Sequence, residues 1–149
     1  MIIIVETLIK LFDRDLQRLE EEINLYQTEE FLWNVSGEIK NPAGNLCLHL
    51  CGNLQHYIGA VWGRTSYGRN RDNEFAAKGL TKNDLIAEIQ KSKQIVHDTL
   101  ENIKPSILEA EYPEKVYDYP VTTAYFLIHL SSHLNYHLGQ LNYHRRLIQ

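Results

Sequence analysis

Apolar residues recur at intervals of three and four through most of the chain, with charged residues between them. This spacing is typical of helices that bury one face. The first run fades between Trp33 and Gly37 and predicts one long helix. Its apolar positions are Ile4, Leu8, Leu11 or Phe12, Leu19, Ile23 and Tyr26.

Two further helices are predicted in the middle of the chain. The second begins near Asn45, after the Pro and Gly of EIKNPAGN, and ends near Gly63. The third follows Thr81, whose hydroxyl can cap it three residues before Asp84, and Pro105 is expected to close it. The stretch GRTSYGRNRDNEFAAKG between these two helices is predicted to be a polar loop.

A fourth helix is predicted to open at Thr122 or Thr123 and to continue almost to the C-terminus. No segment alternates convincingly with a period of two, so the pattern predicts an all-α four-helix bundle in a single domain, 1–149. The two long links, which precede the third and fourth helices, can cross an end of the bundle. The helices therefore need not follow a strict up-down-up-down order.

Histidines are concentrated on this last helix. The chain has seven, and four lie within HLSSHLNYHLGQLNYH. At about 100° per residue they share a stripe roughly 80° wide, beside a leucine stripe that should face the core; they are His129, His133, His137 and His144. Imidazoles four residues apart stand about 6 Å apart along the axis, so one pair, but not all three i,i+4 positions, can reach a common metal ion.

The second helix carries the candidates for a third ligand, His49 and His56, which lie seven residues apart on nearly the same face. Glycines share this side, and glycine in an exposed helix interior costs roughly 1 kcal/mol relative to alanine. We therefore expect the face to be covered, with space left above Gly52, Gly59 and Gly63.

Simpler interpretations stand beside the metal site. A lone helical histidine is usually a hydrogen-bonded polar residue, and His97, among charged neighbours, is expected to be solvated. Cys47 and Cys51 are expected to lie in the core as reduced thiols. The loop arginines are most often simply solvated, and a clamp for a substrate carboxylate is the minority alternative for Arg64, Arg69 and Arg71.

Composition and charge argue against nucleic acid and membranes as binding partners. The chain is 44% hydrophobic and 23% charged, with a net charge of -4, so it offers no basic face to nucleic acid. The apolar start MIIIVETLIKLFDRD is broken by Glu6 and Lys10 and lacks a cleavage site, so neither a secretion signal nor a membrane span is expected. Two thiols without disulfide geometry fit a cytoplasmic protein.

Three segments, NPAGNLCLHLCGNLQHYIGAVWG, RNRDNEFAAKGLTKNDLIAEI and HLSSHLNYHLGQLNYHRR, together resemble the DinB superfamily of small four-helix metalloproteins, in its subgroup with N-x-x-x-H-L on helix two. The resemblance covers nearly the whole chain from about residue 41 and implies an up-down-down-up bundle. It also implies a divalent metal, nickel or zinc with manganese or iron as alternatives, held by His49, His133 and His137. His56, His129, Tyr136 and Gln140 are then expected to form hydrogen bonds to the ligating histidines or to serve as substitute ligands. Leu138 stands where the family more often has a basic residue.

Members of that superfamily with assigned activities resemble metal-dependent thiol S-transferases or isomerases that use glutathione, bacillithiol or mycothiol. The resemblance therefore implies that a low-molecular-weight thiol is joined to an electrophile in detoxification or stress. A metal-dependent hydrolase using bound hydroxide and a non-enzymatic metal-binding bundle are the alternatives. Homodimers are common among such bundles, and Trp33, Trp62 and Tyr67 are candidate interface residues.

Overall fold

The computed structural model describes residues 3–149, and helices dominate them. Within this range there is no β-strand, and an isolated antiparallel bridge pairs Glu111 with Thr122. One short 3₁₀ turn spans Glu30–Leu32, and a π-helical segment spans Gln55–Ala60. The α-helices are α1 (Ile3–Leu25), α2 (Ala43–Leu54), α3 (Arg71–Ala76), α4 (Lys82–Glu101), α5 (Pro105–Glu109) and α6 (Thr123–Ile148).

Capping residues mark the starts of α4 and α6, which correspond to the third and fourth predicted helices. Thr81 and Asp84 form a reciprocal capping box at α4, and Thr122 accepts a hydrogen bond from the Tyr125 amide at α6. Both starts are confirmed. The all-helical class is also confirmed.

Three boundaries differ from the predicted ones. The first helix ends at Leu25, although Leu32 beyond it is still part of the core. Pro105 does not close α4, which ends at Glu101; it opens α5, because a proline lacks only the N–H that the first turn of a helix leaves unused. The predicted polar loop contains a further helix, α3, with Asn70 as its side-chain cap.

The hydrophobic core lies between the four long helices. α1 packs against α4 and α6, and α2 packs against the same two helices, so α1 and α2 face each other across the core. The leucine stripe predicted on α6 is buried there, and it consists of Leu127, Leu130, Leu134, Leu138 and Leu141. Cys47 and Cys51 are buried free thiols, as predicted.

Polar contacts join α1 to its two neighbours along its length. His97 of α4 lies 3.1 Å from the Asp13 carboxylate, and Gln90 donates to Glu20 at 3.3 Å. On the other side, Asn135 of α6 donates to Asp15 at 3.2 Å. His97 is therefore paired and only partly exposed, whereas the sequence predicted a solvated side chain.

Trp33 and Trp62, two of the three candidate interface residues, pack within the chain. Trp33 donates from Nε1 to the Leu80 carbonyl at 3.1 Å, and the Trp62 ring lies 6.1 Å from that of Tyr112. Neither ring is left fully exposed. Among residues 3–149, none of the helices has the length and apolarity needed to cross a lipid bilayer.

Candidate metal centre

Three histidines from two helices meet at one point. His49 lies on α2, and His133 and His137 lie one turn apart on α6. One ring nitrogen from each can be chosen so that all three lie within 4.8 Å of one another. The Nε2 atoms of His49 and His133 are the nearest to each other, 3.2 Å apart.

This geometry fits a metal ion. Two nitrogens bound to one tetrahedral zinc at 2.0–2.1 Å would be about 3.3 Å apart, close to the His49–His133 separation. His49 donates its Nδ1–H to Glu74, which leaves the Nε2 lone pair directed at the other histidines. Three neutral imidazoles are a donor set for divalent nickel, zinc or iron and leave coordination positions for other ligands. The assignment of His49, His133 and His137 as metal ligands stays a prediction.

Burial keeps the two α6 histidines in the form that binds a metal. Desolvation, together with the neighbouring imidazoles and Arg69, lowers the pKa of His133 to about 3. The pKa of His137 is also lowered, chiefly by burial, although its hydrogen bond with Gln140 opposes this shift. Both rings are therefore neutral at physiological pH, and protons compete weakly for their nitrogens.

A buried carboxylate, which the sequence analysis did not single out, orients His49. Glu74 accepts a hydrogen bond from His49 Nδ1 at 3.0 Å and two from Arg69, both at 2.9 Å. Burial opposes the ionisation of Glu74, but the bonds from His49 and Arg69 outweigh it and lower the pKa of this carboxyl. Carboxylate–histidine pairs of this kind fix the tautomer of a ligating imidazole and raise its basicity.

Gly52 makes room for this carboxylate. A Cβ atom placed on Gly52 would lie 2.0 Å from Glu74 Oε2, and those on Gly59 and Gly63 would meet Ile95 and Thr99 at 2.6 and 2.3 Å. The predicted open space above these glycines is therefore absent. They admit Glu74 and the α4 side chains instead.

Replacing Gly52 with alanine should weaken zinc binding by about 10–100-fold, because the new methyl group must push Glu74 away from His49. Competition titration against a zinc chelator measures this loss. Gly139→Ala is the matched control, since nothing lies within 4 Å of a Cβ there. It should leave zinc affinity unchanged and raise the free energy of unfolding by up to about 1 kcal/mol. Equal zinc affinities for the two variants would contradict the role assigned to Gly52.

Gln140 and Tyr136 extend the hydrogen bonding from the third histidine. Gln140 Oε1 lies 2.7 Å from His137 Nδ1, and Gln140 Nε2 donates to the Tyr136 hydroxyl at 3.3 Å. Gln140 thus contacts a candidate ligand directly, and Tyr136 acts one step further out. His144 lies apart from this group, where it accepts from the Tyr26 hydroxyl and donates to the Asn34 carbonyl, both at 2.7 Å.

The two substitute histidines have other neighbours. His56 lies in the π-helical segment, where its Nε2 is 2.9 Å from Glu114. It does not join the triad, because it lies seven residues after His49, about 10 Å further along the helix axis, and its ring pairs with Glu114. His129 stacks on Phe126 with 5.7 Å between ring centres, and its ring lies 6.3 Å from that of His133. It borders the site without sharing a hydrogen bond with the triad.

The three loop arginines lie in different places. Arg69 is mostly buried and its guanidinium is engaged by Glu74, so its main contact is structural. Arg64, at a φ of 54°, lines a depression with Trp62 and Asn102 away from the histidines, which does not support an anion-binding role at this site. Only Arg71 is both exposed and next to the triad.

Two cavities adjoin the triad. The first, called here the Arg71 cavity, has a volume of about 220 Å³ and reaches His49 and His133; its other lining residues include Asn53, Tyr57, Arg71, Tyr117, Phe126 and His129. The second, called the Tyr143 cavity, has a volume of about 480 Å³ and reaches His137; it is lined also by Lys40, Leu46, Tyr136, Gln140 and Tyr143.

The fold is similar to that of a protein of known structure. A conserved protein from Enterococcus faecalis, known from its crystal structure, superimposes with a TM-score of 0.78 over 99% of this chain and 98% of that protein, at 20% sequence identity. At this identity the likeness shows a common fold. A search of curated proteins finds no match. The profile of a family described as "Protein of unknown function (DUF1572)" matches residues 4–149. The chain therefore belongs to the DUF1572 family.

Proposed function

We propose that the protein is a DinB-like metal-dependent thiol S-transferase that joins a low-molecular-weight thiol to an electrophile. The observation that carries this proposal is the position of the triad between two cavities. His49 and His133 border one, and His137 borders the other. Two spaces beside one reactive centre allow a thiol and an electrophile to be held there together in a reactive orientation.

The proposal includes an up-down-down-up four-helix bundle, and the helix pairings support it. Gln90 and His97 meet α1 at Glu20 and Asp13, in reverse order, as expected for antiparallel α1 and α4. Contacts of α6 with α1 advance together, from Asn135–Asp15 to Asn142–Glu22. Contacts of the π-helical continuation of α2 with α4 also advance together, from Gln55–Ser92 to Gly63–Thr99. This is the helix order that the resemblance to the DinB superfamily implies.

The chemistry follows from the donor set. A divalent ion, nickel or zinc in the first instance, held by His49, His133 and His137 would lower the pKa of a coordinated thiol or water toward neutrality. The protein contributes the orientation of His49 through Glu74 and that of His137 through Gln140. In the transfer, the thiol sulfur forms a bond to the electrophilic carbon. The leaving group departs with its bonding electrons, and the thiol proton passes to solvent.

A metal-dependent hydrolase is the second candidate, and the same donor set favours it. Three neutral imidazoles with an open position are also the ligands that activate water in zinc hydrolases and hydratases. The two candidates differ in whether a thiol is required. A cytoplasmic location suits both, since the two cysteines are free and the cytoplasm supplies reduced thiols. A homodimer remains part of the proposal.

The test is a turnover assay with purified protein loaded with nickel, zinc, manganese or iron. Chlorodinitrobenzene or an epoxide serves as electrophile, with glutathione or bacillithiol as thiol. A rate that requires both metal and thiol, and that is lost in His133→Ala, is the expected result. A metal-dependent rate without thiol would instead favour the hydrolase. Full metal occupancy without activity in any combination would contradict the enzymatic proposal and favour a metal-binding bundle.

A further inference from the structure

We propose that the Arg71 cavity binds the carboxylate of a small substrate whose body is flat and apolar, such as an aromatic or unsaturated acid. That the bound acid reacts at the triad rests on the proposed function. That the acid binds rests only on the residues that line the cavity. The cavity lies between α2, α6 and the loop before α3, beside His49 and His133.

Charge in the cavity favours an anion. Its lining holds two arginines and no carboxylate. The charge of Arg69 is balanced by Glu74. Arg71 forms no ion pair with any carboxylate in the described part of the chain, and its guanidinium lies 5.2 Å from the centre of the Phe75 ring. A stacked guanidinium keeps its N–H edge free, and that edge matches a carboxylate in two parallel hydrogen bonds.

A second part of the lining, called here the aromatic wall, consists of ring side chains. The Tyr57 and Phe126 rings meet edge to face at 5.1 Å, and the His129 ring lies flat on Phe126 at 5.7 Å. Tyr117 closes the group, 5.6 Å from the ring of His129. Fixed aromatic side chains present faces and edges on which a flat apolar molecule can stack. This wall therefore favours a planar body on the bound acid.

A polar side chain stands at the histidine end. Asn53, one turn after His49, lines the cavity and is nine-tenths buried, and its Oδ1 has no hydrogen-bond partner among residues 3–149. An amide left unpaired beside a cavity is a group that a ligand can satisfy. Together the three features place a carboxylate at Arg71, a flat body on the aromatic wall and the reactive end near the triad.

The size of the cavity limits the ligand. About 220 Å³ is below the roughly 300–1,000 Å³ of pockets that hold drug-sized molecules. A single ring or a short unsaturated chain with one carboxylate fits this scale, whereas a tripeptide thiol such as glutathione is better matched by the Tyr143 cavity of about 480 Å³. The inference therefore assigns the acid to the electrophile rather than to the thiol.

The experiment compares benzoate with benzamide, its neutral isostere, by isothermal titration calorimetry on zinc-free and zinc-loaded protein. Benzoate should bind at least about tenfold more tightly than benzamide, and Arg71→Gln should weaken benzoate by about tenfold. Arg64→Gln is the matched control, because this arginine lies in the loop that leads to α3 but lines another depression. It should bind benzoate as the parent does. Adding glutathione should leave benzoate bound, because the inference assigns the acid to the electrophile. Displacement of benzoate by glutathione would overturn this assignment.

Equal binding of benzoate and benzamide, no binding of either, or the same affinity in Arg71→Gln and Arg64→Gln would overturn the inference. The outcome is separable from that of the proposed function. Zinc bound tightly without benzoate binding would remove only the carboxylate site. Benzoate bound to a protein that fails to hold zinc would remove the metal centre and leave the anion-binding cavity.

Discussion

Replacing His133 with alanine should reduce zinc affinity by more than about 100-fold, because it removes a ligand rather than a residue that orients one. His133 has the most central place of the three histidines. Its ring centre lies 5.1 Å from that of His49 and 4.6 Å from that of His137. Chelator competition and metal analysis after desalting measure the loss.

His129→Ala is the matched control for this change. His129 lies one turn earlier on the same helix and in the same histidine stripe, but outside the triad. This variant should hold one zinc per chain as the parent does. Circular dichroism confirms that both variants are folded. Retention of tight zinc by His133→Ala, or equal losses in the two variants, would show that the ligands have been assigned wrongly.

Replacing Glu74 with glutamine should weaken zinc binding by about 10–100-fold. The amide oxygen can still accept from His49 Nδ1, but the negative charge that makes the imidazole a stronger donor is lost. The guanidinium of Arg69 also loses the carboxylate that neutralises it. We therefore expect the metal-free protein to lose about 1–3 kcal/mol of unfolding free energy in urea titrations.

Glu114→Gln is the matched control. Glu114 also pairs with a histidine, His56, at 2.9 Å, but it is exposed and forms no hydrogen bond with the triad. It should change neither zinc affinity nor stability by a measurable amount, as expected for an exposed pair. Similar behaviour of the two glutamine variants would mean that Glu74 does not act on the metal centre.

Much of the fold was predictable because the long helices carry their own signals. The α6 pattern has regular leucine spacing, a threonine cap and no proline over Thr123–Ile148. The i,i+4 histidines on that helix, together with the histidine pair on the second predicted helix, predicted a metal-binding face before any family was considered. Choosing His49 over His56 required the family resemblance, since a regular α-helix would place both on nearly the same face. The two lie about 10 Å apart along the helix axis, and the periodicity does not show which of them is level with the α6 histidines.

Glu74 escaped prediction because the helix that carries it is short. α3 has six residues, fewer than two turns, so no apolar period can develop. A signal was nevertheless present in Asn70, whose side chain accepts a hydrogen bond from the Asn73 amide and marks a helix start. That signal places a helix but does not say which side chain turns inward.

For Gly52 the sequence correctly predicted a covered helix face but wrongly predicted open space above it. A glycine inside a helix indicated that another group approaches closely, and one does. The approaching group is the carboxylate of Glu74 rather than a ligand. The identity of that group depends on a contact 22 residues away in sequence, which local pattern cannot supply.

The most direct test of the metal centre is X-ray absorption at the zinc edge of the zinc-loaded protein, in parallel with metal analysis. We predict one zinc per chain with three imidazole nitrogens at about 2.0–2.1 Å and a remaining light-atom ligand from solvent. Adding thiol should bring in a sulfur at about 2.3 Å. Fewer than three imidazoles, a sulfur ligand before thiol is added, or zinc below stoichiometric amounts would contradict a centre built from His49, His133 and His137.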